Sequence, residues 1–265
     1  MNIVITGGTG FIGSRLAASL LADGHTVVIL TRRSPQQAKA SHPYLEGATW
    51  ITWPGDAQDG KYQIDHRNEP WFKALGGADA IVHLAGTSIA AGRWNNKQKA
   101  AIRKSRIEST RLLVHSIQQL PAPPRLLISA SAVGYYGSRG DEVLTEQSAP
   151  GQDFLASVCQ DWEKEALAAQ TAGTRVVLLR TGLVLDARSG ALPKILLPYR
   201  MFVGGPLGDG KQWMSWIHIE DHIRLIRFLL EHPTANGSVN GTAPEPVINR
   251  QFSAVLAKQL RRPSS

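Results

Sequence analysis

A strand that runs into four glycines within seven residues constrains this chain more than any other feature of it. Asn2-Ile3-Val4-Ile5-Thr6 has the composition of a short buried strand, and Gly7-Gly8-Thr9-Gly10-Phe11-Ile12-Gly13 follows without a gap. An apolar stretch from Phe11 to about Ala22 then reads as a helix. Strand, glycine turn and helix in that order open a dinucleotide-binding βαβ unit. Gly7 and Gly8 permit a sharp turn in which a Cβ would clash. Gly10 leaves room for a pyrophosphate against the main chain, and Gly13 lets the helix pack closely on the strand. The unpaired N–H groups and positive dipole end of that helix then face the phosphates. Gly7, Gly10, Phe11, Ile12 and Gly13 are therefore the candidate pyrophosphate-binding positions.

With 265 residues, 43% hydrophobic and 19% charged, the chain has room for one large domain, or one domain and a smaller lobe. Neither a membrane-spanning apolar run nor a signal peptide ahead of the first strand is expected. The single cysteine, Cys159, rules out an internal disulfide and a cysteine-cluster metal site. A cytoplasmic location is the resulting expectation. The net charge of +8 raises the question of nucleic acid. The basic residues are scattered, however, and the densest stretch, Lys97 to Arg111, has helical spacing. A solvated helix face, one side near an anionic cofactor, accounts for it, and no nucleic-acid partner is expected.

Apolar β-branched runs recur at His25–Thr31, Ala48–Trp53, Ala80–Leu84, Arg125–Ser129 and Arg175–Leu179. Helical periodicity fills Gln98–Leu120 and Asp153–Ala172, while Gln36–Trp71, rich in Pro, Gly, Asp and His, reads as loop. The alternation implies an α/β fold: a doubly wound, parallel Rossmann sheet with ligands at the carboxyl ends of its strands. After Leu185 the alternation breaks. The expected division is a dinucleotide-binding domain of 1–185 and 216–238, with a small discontinuous substrate lobe of 186–215 and 239–265. The chain stops directly after an apparent helix, which suggests a truncated C-terminus.

NAD-binding units usually carry an acid at the end of the second strand to bind the adenosine ribose. Thr31-Arg32-Arg33 stands there instead. A guanidinium pairs with a 2′-phosphate that a carboxylate would repel, so the expected cofactor is NADP(H). His83-Leu84-Ala85-Gly86 ends the fourth strand in small residues, as a backbone lying against a nucleoside requires.

The chain resembles the extended short-chain dehydrogenase/reductase superfamily. Within it, the resemblance is to the divergent epimerase-like group of bacterial YfcH-type proteins and the mammalian short-chain dehydrogenase/reductase 39U member. The likeness is carried by Thr6 to Gly13, Leu84-Ala85-Gly86, Arg93-Trp94 with Ser105-Arg106, and Ser129 to Gly137. Asp153 to Ala156, Trp162-Glu163, Leu179 to Leu185, Gly204 to Gly208, Ser215 to Ile219 and Asn240 to Pro244 extend it over essentially the whole chain. The resemblance implies that Gly7, Gly10 and Gly13 bind pyrophosphate, and that Thr31 and Arg32 meet the adenosine phosphate. Leu84, Ala85 and Gly86 would line the nucleoside, Arg106 would face the cofactor, and the backbone of Leu183 to Leu185 would lie near the nicotinamide. It also implies a small-molecule substrate, with a nucleotide sugar as the class.

Extended members use a Ser or Thr after the fifth strand, and a Tyr-x-x-x-Lys on the next helix whose lysine readies the phenol for proton exchange. Ser131 stands at the serine's place, with a strand-ending or turn-capping role as its alternative. The Tyr-x-x-x-Lys is absent: Phe154-Leu155-Ala156-Ser157-Val158-Cys159 carries neither residue. Tyr135 and Tyr136 are substitute phenols, provided that the site supplies another cation. Tyr136-Gly137 also matches a structural Tyr-Gly of ordinary members. His218 is a lesser candidate base beside Asp221, which reads as a helix start. Trp94, Trp213 and Trp216 are either pocket or core. Two classes of function remain. One is an NADP(H)-binding oxidoreductase or epimerase-like isomerase; the other is a noncatalytic NADPH-responsive protein that no longer needs the Tyr/Lys pair. Oligomeric state is not legible.

Overall fold

Alternation along the first strand builds two cores at once. Side chains at successive positions point to opposite faces. In β1 (Asn2–Thr6), Ile3 and Ile5 accordingly join one apolar cluster and Val4 the other. The computed structural model describes residues 1–56, 66–90 and 92–263. Its central sheet adds β2 (Thr26–Thr31), β3 (Thr49–Thr52), β4 (Ala80–His83), β5 (Leu126–Ala132), β6 (Arg175–Thr181) and β10 (Gly237–Gly241). The order is β10-β6-β5-β4-β1-β2-β3, and every pairing is parallel. This is the doubly wound Rossmann fold, with its topological switch between β1 and β4.

Both faces are covered by helices, which explains why the strands are near-continuous apolar runs. α1 (Phe11–Ala22) and α7 (Ile219–Glu231) cover one face through Leu16, Leu20, Ile223 and Ile226. α4 (Asn96–Gln118) covers the other through Leu112, Leu113 and Ile117, with α3 (Pro70–Gly76) and α5 (Phe154–Leu167) beside it. Short polar side chains start two of these helices. Asn95 accepts from the Gln98 N–H at 2.9 Å, and Asp153 accepts from the Ala156 N–H at 2.8 Å.

The chain then leaves the sheet. β7 (Leu183–Leu185) pairs in parallel with β9 (Trp216–His218), and between them lie α6 (Leu192–Arg200) and β8 (Trp213–Met214). β11 (Val247–Ile248) pairs with β8, and α8 (Asn249–Leu260) packs on α6, where the Tyr199 hydroxyl meets Ser253 Oγ at 2.6 Å.

Three stretches of the main domain differ from the sequence reading. The stretch 36–71, expected as loop, contains most of α2 (Pro35–Ser41) and the start of α3. Ser34 caps α2 and Pro35 occupies its first turn, a start signal hidden by the polar composition around it. Residues 57–65 of that stretch lie outside the described residues. The helix expected over 153–172 tightens to 3-10 geometry at Ala168–Ala172 and stops at Gly173, whose φ of 81° is left-handed. Finally, β5 runs three residues past Ser129, to Ala132, because each added residue pairs with β6.

Candidate functional site

The glycine turn leaves β1 at the sheet's carboxyl edge. Gly7 has φ 71°, and a Cβ there would lie 2.7 Å from the carbonyl of Leu84. The ends of β1 and β4 are therefore in direct backbone contact at the switch point. The Gly10 N–H donates to the Gly7 carbonyl at 2.9 Å, closing the turn. A Cβ at Gly13 would meet that same carbonyl at 2.4 Å, so Gly13 seats α1 on the turn itself rather than on the strand.

A cavity of about 340 Å³ opens beside this turn. Gly7, Gly10, Thr31, Arg32, Leu84, Ala85 and Gly86 line it, and the fold thus brings these expected positions together. Trp53, Gly55, Asp56, Thr87, Lys104 and Ser105 complete much of the wall; the sequence reading assigned none of them to the cofactor. A larger hollow of about 490 Å³ lies between α4 and α5. It is walled by the ion pairs Arg103–Asp161 and Arg111–Glu165 and has no strand end or glycine turn, so its chemistry is that of a salt-bridged surface.

Thr31 and Arg32 are held on the wall by local contacts, while Arg106, Phe11 and Leu185 are not among the lining residues. Thr31 is buried, and its Oγ1 accepts from the Arg33 N–H at 3.2 Å, which fixes the turn after β2. Arg32 is exposed, but its aliphatic stem lies so close to Gly55 that a Cβ there would be 2.7 Å from Arg32 Cδ. Arg106 donates to the carbonyls of Thr87, at 3.0 Å, and Ile102, at 3.2 Å, and lies over the Trp162 ring. It pins the Gly86–Thr87 backbone to α4, and burial lowers its pKa below the ordinary arginine value. At the other end, a Cβ on Gly190 would sit 2.8 Å from the Phe11 ring, and Arg15 pairs with buried Asp186 at 3.0 Å. Leu185 bridges to Gly190, and Phe11 and Ile12 both pack against the core at the start of α1.

Beneath the cavity lies an unpredicted staple. The fully buried His83 ring meets Thr6 Oγ1 at 2.6 Å through Nδ1, and Thr110 Oγ1 at 2.9 Å through Nε2. It joins the ends of β1 and β4 to α4, and burial pushes its pKa down to about 3, so it is neutral.

The three candidate catalytic residues separate into two kinds. Ser131 lies inside β5, not after it; it is buried, and its hydroxyl donates to Glu163 Oε1 at 2.6 Å. Glu163 also receives two parallel bonds from Arg180, Nε to Oε1 at 2.9 Å and Nη2 to Oε2 at 2.8 Å. Arg180 Nη1 donates to the Tyr136 hydroxyl at 3.1 Å, and that hydroxyl donates to Asn240 Oδ1 at 2.6 Å. Tyr136 is buried, so its phenol is a strut between the 3-10 turn after β5 (Val133–Tyr136), β6 and β10. Burial by itself would lower the Arg180 pKa, but the bonds to Glu163 and Tyr136 and the charge of Glu163 raise it above the ordinary arginine value. Tyr135 differs. It is partly exposed, its ring lies 3.5 Å from the Arg180 guanidinium carbon, and its hydroxyl makes no hydrogen bond among the described residues. A cation, the Arg180 guanidinium, thus lies against the Tyr135 ring. A charged residue within the apolar run Arg175–Thr181 was the sequence signal for it.

The remaining candidates disperse. His218 is the N-cap of α7, with Nδ1 accepting from the Glu220 N–H at 3.3 Å, and Asp221 stands in the first turn, paired with Arg224. The helix start is therefore His218, not Asp221. The indole N–H groups of Trp94, Trp213 and Trp216 bond separately to Ile89 O, Asp141 Oδ1 and Glu245 O. Burial pushes the Cys159 thiol up to about 11, and the nearby charge of Glu163 adds to this. Among the described residues, no group of three or more His, Cys, Asp or Glu could hold a metal ion. No described helix is long and apolar enough to cross a membrane.

Residues 3–241 match the NAD dependent epimerase/dehydratase family. The chain belongs to that family. Among epimerase family proteins, an Arabidopsis thaliana chloroplastic homologue of SDR39U1 is 41% identical over 266 residues, covering 100% of this chain and 72% of its own. The solved structure of human epimerase family protein SDR39U1 (isoform 2) with NADPH is 30% identical, with a TM-score of 0.80, and is covered over 81% of its length by the whole of this chain. A nucleoside-diphosphate sugar epimerase from Corynebacterium glutamicum is 37% identical over 97% of this chain, with a TM-score of 0.77. This chain spans 49% of that protein, about half its length.

Proposed function

We propose that this epimerase/dehydratase family member is an NADP(H)-dependent oxidoreductase or isomerase acting on a small molecule of nucleotide-sugar type. The observation that carries the cofactor reading is Arg32. It stands on the cavity wall at the end of β2, where an NAD-binding unit places a carboxylate. The cradle fits the group, since side chains at Gly7 and Gly13 would fill the space in which backbone approaches backbone. Gly7, Gly10 and Gly13 would hold the pyrophosphate, Thr31 and Arg32 the adenosine phosphate, Leu84 to Gly86 the nucleoside, and Phe11 and Leu185 the nicotinamide end. When bound, the nicotinamide supplies hydride transfer. The human relative named with NADPH and the bacterial relative named a nucleoside-diphosphate sugar epimerase support the cofactor and substrate classes. The substrate would lie between the sheet's carboxyl edge and the part of the chain that carries α6 and α8.

In this reading Tyr135 moves the proton at its phenolic oxygen, and Arg180, held by Glu163, supplies the positive charge beneath the ring. Ser131 and Tyr136 are positioning residues whose hydroxyls are already committed. The test follows nicotinamide absorbance and product mass with NADPH and a panel of nucleoside-diphosphate sugars. Tyr135→Phe is expected to lower turnover about a hundredfold or more with NADPH affinity unchanged. Full turnover in that variant would exclude Tyr135. A second reading, a noncatalytic NADPH-responsive protein, draws on the same committed hydroxyls and on an α5 without tyrosine. Tight NADPH binding with no turnover of any panel member would favour it.

A further inference from the structure

Arg32 does not stand alone at the mouth of the cavity. Lys104 Nζ, on α4, lies 3.5 Å from Asp56 Oδ2 in the loop after β3, and both residues line the cavity beside Arg32 and Thr31. The placement follows from helix geometry. Ala101, Lys104 and Ser105 all line the cavity, the i, i+3, i+4 spacing of a single helix face. Gly55, at φ 82°, turns the loop so that it carries the Arg32 stem on one residue and the Asp56 carboxylate on the next. Among the described residues, the mouth thus holds two cations and one carboxylate. The Lys104 and Asp56 side chains are 59% and 33% exposed, and a pair so open to water contributes little to stability and exchanges partners readily.

We propose that Lys104 is the second cation of the adenosine-phosphate site. It releases Asp56 and pairs, together with Arg32, with a phosphomonoester on the adenosine ribose. Without that phosphate, Lys104 stays with Asp56, which holds the ammonium at the mouth between ligands. Lys104 is then a specificity-determining residue that reads the phosphate and leaves the rest of the dinucleotide to the glycine turn. The inference rests on the NADP(H) reading above.

The experiment is a fluorescence titration of the full chain with NADPH and with NADH, for the unaltered protein, Lys104→Gln and Asp56→Asn. Lys104→Gln is expected to weaken NADPH about tenfold, the lower end for a charge-assisted contact, and to leave NADH unchanged. Asp56→Asn removes the competing carboxylate and is expected to tighten NADPH by about threefold. Equal effects of Lys104→Gln on both nucleotides, or no effect on either, would overturn the proposal. So would weaker NADPH binding in Asp56→Asn. An unaltered protein that shows no preference for NADPH removes the NADP(H) reading itself, an outcome distinct from failure of the Lys104 variant in a protein that does prefer it.

Discussion

Replacing Glu163 by alanine is expected to cost about 3–5 kcal/mol of folding stability, the range for stripping one partner from a buried ion pair. The Arg180 guanidinium is only 4% exposed and would lose both of its bonds to the carboxylate, while Ser131 would lose its acceptor. A urea titration would show the loss as a lower midpoint at an unchanged slope. The paired replacement Glu163→Leu with Arg180→Met removes both charges and is expected to recover most of the stability, because no ion is then left stranded. A loss below about 1 kcal/mol for Glu163→Ala, the value for exposed pairs, would contradict the burial on which the network depends. The recovered double variant has a further use. It lacks the cation beneath Tyr135, so a stable protein with NADPH affinity but no turnover would separate the chemistry of Arg180 from its structural role.

Acidification from pH 7 to pH 5 is expected to remove about 4 kcal/mol, near 2 kcal/mol for each of two buried histidines. Burial pushes His83 down to about 3 and His222 down to about 4. Both folded values lie below the unfolded value of about 6.5. Below about 6.5 the unfolded chain therefore takes up protons that the folded chain refuses, and stability falls with pH. It is fully present above that value and continues to decline toward the folded values. His222 is completely buried; its Nε2 meets Thr181 Oγ1 at 3.0 Å, and its Nδ1 has no hydrogen-bond partner among the described residues. His222→Gln should flatten the profile by about half. A protein equally stable at the two pH values would show that both imidazoles accept protons in the folded state.

The parts of this structure that were legible in the sequence are those written locally. β1, the glycine turn and α1 occupy consecutive residues, and the strand-helix alternation repeats a pattern readable in short windows. From these a doubly wound parallel sheet with a ligand site at its carboxyl edge follows by general rules of connection, whereas the strand order is set by pairings that only the structure shows. The Ser131–Glu163–Arg180–Tyr136–Asn240 network was not legible. Its bonds join residues 17, 32, 44 and 104 positions apart, and such pairings leave no periodic trace. Ser131 was expected after the fifth strand; it lies inside β5, and its hydroxyl is taken by a carboxylate that only the folded sheet brings to it. α2 was missed for a different reason: its cap at Ser34 and Pro35 sits within a polar, proline-rich run that resembles loop. Lys104 was seen only as one of many basic residues on a helix, because the stripe it shares with Ala101 and Ser105 acquires meaning only once β2 and β3 lie opposite.

The proposed NADP(H) site depends above all on Arg32 reading the adenosine phosphate. Calorimetric titration of the unaltered protein and Arg32→Asp with NADPH and NADH tests it most directly. The unaltered protein is expected to prefer NADPH. Arg32→Asp is expected to weaken NADPH by about a hundredfold, through a lost charge-assisted contact and an added repulsion, while NADH changes little. Equal weakening of both nucleotides, or an unaltered protein that favours NADH, would contradict it.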